Sequence, residues 1–164
     1  MVMEFRQLLQ RLASAVEDFD REAFVDCFTP DGIYADYLLG RKQGQQGLRE
    51  MLAHFYVGGE NFRWEFFEPV CAGDRGYARS RFSFDSLHAD ALGKRIAFDA
   101  MSCLDLRGGR ISYYRDVFDR GMALAQQNYA PERIVRIEQK HGEEFRREPE
   151  WALHFTPGGR GSVR

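Results

Sequence analysis

The sequence predicts an α+β domain in which helices pack on one face of a curved antiparallel sheet. Three observations carry this. Apolar residues recur at helical spacing up to Gly58-Gly59. The period then changes to alternation over four runs separated by hairpin-like turns. The last run, GGRISYYRDVFD (108–119), is a strand with Ser112, Tyr114 and Asp116 on one face and Tyr113, Arg115 and Val117 on the other. Ser112, Tyr114 and Asp116 make an odd core unless that face lines a cavity, so Asp116 is the first candidate for chemistry.

Phe5, Leu8, Leu9, Leu12, Val16 and Phe19 predict a first helix over about residues 3–18. Asp20 can cap a short second helix with Phe24, Val25 and Phe28 inward, closed by Thr29-Pro30-Asp31-Gly32. Ile33 to Leu39 favours a strand on which Tyr34 and Asp36 share a face, and Gly40 to Gly47 reads as a polar loop. Leu48, Met51, Leu52, Phe55 and Tyr56 mark a third helix, stopped by Gly58-Gly59. Strands are expected over Phe62–Cys71, Tyr77–Leu87, Arg95–Leu106 and Arg110–Phe118. Beyond Asp119, MALAQQ is helical in character, and Pro131 suits the first position of a further helix before a loose tail. Residues 1–130 therefore read as a cavity domain and 131–164 as a helical extension, mostly solvated.

The 164 residues suffice for one domain with a real core, and a net charge of -2 with interspersed signs favours neither nucleic acid nor an anionic membrane. An aromatic content of 14% suits a dense core or an apolar pocket for an organic ligand. Cys27, Cys71 and Cys103 match no metal spacing and read as reduced thiols of a cytoplasmic protein. The N-terminal stretch has no signal-peptide character, and no run reaches membrane-spanning length. Phosphate-binding glycine loops, nucleophile elbows and zinc or calcium motifs are missing from the sequence, so neither metal nor cofactor is expected.

The segments TPDGIYAD and LGKRIAFDAMSCLDLRGGRISYYRDVFD, within the order helix–helix–strand–helix–strands, resemble the nuclear-transport-factor-two-like cone fold over roughly residues 5–122. The nearest likenesses are the SnoaL-like polyketide cyclases and the limonene epoxide hydrolases. The resemblance implies a cone-shaped sheet with helices on its concave face. In the hydrolases the matching positions make Asp116 the base that activates water, Asp85 the acid, and Tyr34 with Asp36 the groups that hold the water. Two departures stand out. An acid, Asp36, occupies an amide position, and Ser83 replaces the arginine that links the two carboxylates; Arg81, two residues away, could stand in. Ketosteroid isomerases, more distantly similar, keep their proton-shuttling aspartate near the place of Asp36.

Three acids facing one apolar cavity cannot all ionise cheaply, which leaves a proton donor beside a base. The expectation is a cofactor-independent acid/base enzyme (cyclase, isomerase or epoxide hydrolase) acting on an apolar polyketide- or terpenoid-like molecule, with a non-catalytic small-molecule-binding or dimerisation module of the same fold as the alternative. Tyr114, Arg81, Phe98, His88 and Ser83 are expected around the substrate. Of Arg79 and Arg81, one is expected to pair with Asp85 or Glu65. His88 sits in a turn, either solvated or as a proton carrier at the pocket mouth, and His54 could face the cavity. Asp119 reads as a helix cap. The many rings of the sheet must divide between its faces, and apolar groups left outside favour a homodimer.

Overall fold

The computed structural model describes residues 2–162. Helix α1 (Val2–Glu17) buries Phe5, Leu8, Leu9, Leu12 and Val16, one stripe of an amphipathic helix. Each of these side chains contributes about 2 kcal/mol by leaving water. The helix lies close to the sheet because the Phe5 ring rests directly on Gly76, where no Cβ intervenes. Helix α2 (Arg21–Asp26) starts at Asp20, whose carboxylate accepts the Ala23 amide at 2.9 Å.

Strand β1 (Phe28–Asp36) begins earlier than expected and absorbs Thr29-Pro30-Asp31-Gly32. Gly32 sits where a Cβ would meet the Thr29 carbonyl oxygen at 2.9 Å, and the register slips between Phe28 and Ile33. The expected polar loop is instead a short edge strand, β2 (Gly40–Gln43), leading straight into α3 (Gly44–Gly58). Four long strands follow: β3 (Gly59–Ala72), β4 (Arg75–Ser86), β5 (Arg95–Arg107) and β6 (Arg110–Phe118).

The six strands form one curved, unclosed sheet in the order β2-β1-β6-β5-β4-β3. All neighbours are antiparallel except β1 and β6, which run parallel. That pairing brings the early strand against the last one, with Tyr34 opposite Tyr114 and Ala35 opposite Arg115. Helices α1 and α3 pack against the sheet, giving the α+β architecture expected from the sequence.

Helix α4 (Arg120–Gln126) is capped by Asp119, which accepts the Met122 amide at 2.8 Å. Helix α5 (Pro131–Phe145) starts on its proline, and the chain then bends through Pro149–Trp151 into α6 (Ala152–Phe155). Among the described residues, no helix is long and apolar enough to cross a membrane.

Candidate active site

The sheet is filled with aromatic side chains on its inner face, and they leave a cavity of about 190 Å³. Strand parity decides its walls. On β3 and β4, Phe62, Trp64, Phe82 and Phe84 face inward. Phe98 of β5 and Phe118 of β6 stack with centroids 4.4 Å apart and planes 17° from parallel. Helix α3 adds Phe55 and His54, and the chain after α4 adds Gln127 and Tyr129 at the rim.

Two carboxyl groups, Asp36 and Asp116, lie in this apolar lining. The β1/β6 register brings them together, because one step beyond Ala35 and Arg115 stand Asp36 and Asp116 on adjacent parallel strands. One turn of chain fixes Asp36: its Oδ1 accepts the Leu38 amide at 2.7 Å and the Leu39 amide at 2.5 Å. Strand β1 therefore ends at Asp36 rather than at Leu39, and Leu38 and Leu39 become cavity wall.

Asp116 is 8% exposed, and its Oδ1 is buried without a hydrogen-bond partner in the protein. Its Oδ2 faces the Tyr114 hydroxyl, which donates across 3.5 Å. Tyr114 in turn shares a 2.9 Å hydrogen bond with Ser102, and the Ser102 and Ser80 hydroxyls lie 3.5 Å apart. This buried polar chain runs down the inner face of β6, β5 and β4. Neither serine was predicted, because a serine among alternating residues carries no signal of its own burial.

Burial and the neighbouring Asp36 charge together push the Asp116 carboxyl well above the ordinary aspartate range. Burial raises Asp36 as well, but the Leu39 and Leu38 amides and the Arg120 guanidinium oppose that rise. The amides and the guanidinium thus favour an anion at Asp36 over one at Asp116. Tyr34 and Tyr114 are fully buried, and both hydroxyls are pushed well above their usual values, first by desolvation. They remain neutral hydrogen-bonding groups.

Asp85 stands elsewhere. On β4, Ala78, Ser80, Phe82 and Phe84 occupy the inner parity, which turns Arg81, Ser83 and Asp85 to the outer face. Asp85 accepts from Asn61 Nδ2 at 2.8 Å and from Arg95 at 3.1 Å. These two contacts, Asn61 first, hold its carboxyl below the usual range, as an ionised partner rather than a proton donor. Ser83 accepts from the other Arg95 nitrogen at 2.8 Å. Arg81 lies over the Phe67 ring at 4.7 Å, while Arg79 pairs with Glu68 at 3.3 Å. Neither arginine reaches Asp85 or Glu65, and none of Arg81, Ser83 and Asp85 lines the cavity.

His88 is set back from the cavity and stacks on Tyr129 at 4.7 Å, with its Nδ1 buried and unpartnered. Of the predicted site residues, the cavity lining thus contains Tyr34, Asp36, Phe98 and Asp116, with Tyr114 buried beneath them. The described residues contain no cluster of His, Cys, Asp or Glu able to hold a metal ion.

Several solved structures share this fold. A protein of ketosteroid isomerase-like fold from Catenulispora acidiphila DSM 44928, solved with trimethylamine, is 21% identical with a TM-score of 0.67, over 76% of this chain and 97% of its own. TerC co-crystallized with polyporic acid is 21% identical with a TM-score of 0.67, over 77% and 99% of the two chains. An epoxide hydrolase of the limonene-epoxide-hydrolase-like type from M. tuberculosis is 15% identical with a TM-score of 0.63, over 77% and 90%. No curated protein matches the chain. The model of the SnoaL-like domain matches residues 9–114, more than half of the sequence and all of its sheet up to Tyr114. With its helices, mixed sheet and aromatic cavity in that arrangement, this chain belongs to the SnoaL-like domain family.

Proposed function

We propose that the protein is a cofactor-independent acid/base enzyme that moves a proton on an apolar, polyketide- or terpenoid-like molecule held in the aromatic cavity. The observation that carries this is the Asp36–Asp116 pair. A buried carboxyl oxygen with no partner faces an apolar chamber beside a second, hydrogen-bonded carboxylate. Asp36 is the base that takes a proton from carbon or from water. Asp116, protonated, donates a hydrogen bond or the proton itself to the substrate oxygen, with Tyr34 and Tyr114 ordering the site behind it.

This arrangement favours isomerisation or cyclisation over epoxide hydrolysis of the kind that the hydrolases perform. The acid and the linking cation of that mechanism would need Asp85 and Arg81, and both lie on the outer face. Labelled water separates the outcomes, since only hydrolysis carries solvent oxygen into the product. The decisive experiment screens β,γ-enones, polyketone mimics and terpene epoxides in deuterated water. Deuterium uptake at the acidic carbon is expected with wild type and not with Asp36→Asn. A ligand that binds both variants alike and is never turned over assigns the domain to binding alone.

The same reading treats residues 1–130 as the catalytic domain and 131–164 as its appended extension. It places the protein in the cytoplasm, where its three free thiols stay reduced. It also pairs two copies through the outer face of the sheet. Tyr77, Met101 and Val117 are exposed there, which supports this pairing.

A further inference from the structure

Helix α5 lies beyond the part of the chain shared with the family, yet it reaches the site through one side chain. Arg120, the first residue of α4, is 6% exposed. It donates to both carboxylate oxygens of Glu138 on α5, at 2.9 and 2.8 Å. Its remaining nitrogen donates to the Tyr37 carbonyl at 2.7 Å, and its guanidinium lies 5.2 Å from the centre of the Tyr37 ring. His141, one turn along α5, meets the same ring edge-on at 4.7 Å. Tyr37 directly follows Asp36, in the turn whose Leu38 and Leu39 amides bind the Asp36 carboxylate. The extension thus grips, through Arg120, the segment that carries the base.

We propose that Arg120, held by Glu138 of the C-terminal helix, is a positioning residue that sets the geometry and charge of the Asp36 carboxylate. The inference rests on reading Asp36 as the ionised member of the acid pair. Fully bonded on three sides, the guanidinium fixes the Tyr37 backbone and hence the turn. As a buried cation it favours the Asp36 anion, while Glu138 offsets part of that charge. The groups facing Asp36 are Asp116 and Tyr114 from β6, Tyr34 on its own strand, Arg120 from α4 and His54 on the cavity wall of α3. Glu138 and His141 of α5, with Asp119, stand behind Arg120.

The test reads the carboxyl itself and needs no substrate. Full-length protein carrying carboxyl-labelled aspartate is titrated by carbon NMR, with Asp36→Asn identifying the Asp36 signal. Arg120→Gln is expected to raise the Asp36 midpoint, Arg120→Lys to keep it near wild type, and Glu138→Gln to lower it. A merely structural pair would not move the midpoint in opposite directions. Should Arg120→Gln fail to fold, Glu138→Gln decides alone: a fall supports the assignment, and an unmoved or raised midpoint overturns it. Movement in the same direction in both Gln variants overturns it too. Because titration is independent of turnover, a protein that catalyses nothing would remove the enzymatic reading and leave this result standing.

Discussion

Tyr34 and Tyr114 stack across the parallel β1/β6 pair, with ring centroids 4.5 Å apart and planes inclined by 24°. Two residues further along each strand come Asp36 and Asp116. The tyrosine stack therefore locks the register that puts two carboxyl groups side by side, and it seals them from below. Desolvation raises both carboxyl groups, and their unequal partners set them apart. Asp36 has amide donors and a nearby cation, whereas Asp116 has one hydroxyl and a bare oxygen.

Replacing Asp116 by Asn is expected to stabilise the fold at neutral pH while abolishing turnover. The folded-state pKa of Asp116 is raised, so between the unfolded value, about 3.9, and the folded one the native state holds a proton that the unfolded state has lost. Wild-type stability accordingly falls as pH rises through that window. An amide cannot ionise and escapes the loss. Thermal melts of wild type and Asp116→Asn should coincide near pH 4 and diverge by pH 7, with the variant higher.

Tyr114→Phe removes the hydroxyl that joins Ser102 to Asp116. It is expected to cost about 1 kcal/mol, the worth of a buried hydrogen bond whose partner keeps an alternative, since Ser80 lies within reach of Ser102. The hydroxyl also favours the Asp116 anion, so its loss drives the Asp116 titration further up. Denaturant unfolding measures the first effect and carboxyl NMR the second.

Asp85→Asn, Ser83→Ala and Arg81→Ala are expected to leave turnover within about twofold of wild type, because their side chains meet Arg95 or Phe67 on the outer face. Asp85→Asn should still weaken the fold slightly above pH 4. The lowered carboxyl pKa means that its stabilisation is present above the unfolded value, about 3.9, and is lost as pH falls through the folded one. Steady-state kinetics and melts from pH 3 to pH 7 check both.

The sequence revealed the elements and the face of the last strand, and it misplaced one wall. Tyr114 and Asp116 alternate against Tyr113, Arg115 and Val117, so the inward face of Asp116 is legible in the pattern. The alternation breaks at Ser112, where the register shifts and Ile111 takes the inner place instead. On β4, RSRFSFDS offers two faces of comparable size. The inner one is decided by Ala78 and Ser80, small residues opposite Ser102 and Ala100, and this is a matter of packing rather than pattern. Asp36 was visible as an acid, but its Asx-type turn depends on amides that have no sequence signature. The grip of α5 was hidden as well, since Ile134, Ile137, Glu138 and His141 are only half-buried and read as a solvated helix.

The two acids should titrate in a fixed order, and single replacements should expose it. Asp36 is expected to give up its proton first, because its own amides and Arg120 oppose the rise that burial causes. Asp116 loses its proton only against an existing charge on Asp36, which is the second-largest reason for its raised value. Removing Asp116 as Asn should therefore leave the Asp36 midpoint almost unmoved, whereas Asp36→Asn should bring the Asp116 midpoint down. In turnover this predicts a bell-shaped profile for wild type, limited on the acid side by Asp36 and on the alkaline side by Asp116. Equal shifts in both single variants, or a profile with one limb, would mean that the proton is shared between the two carboxyls rather than held by Asp116.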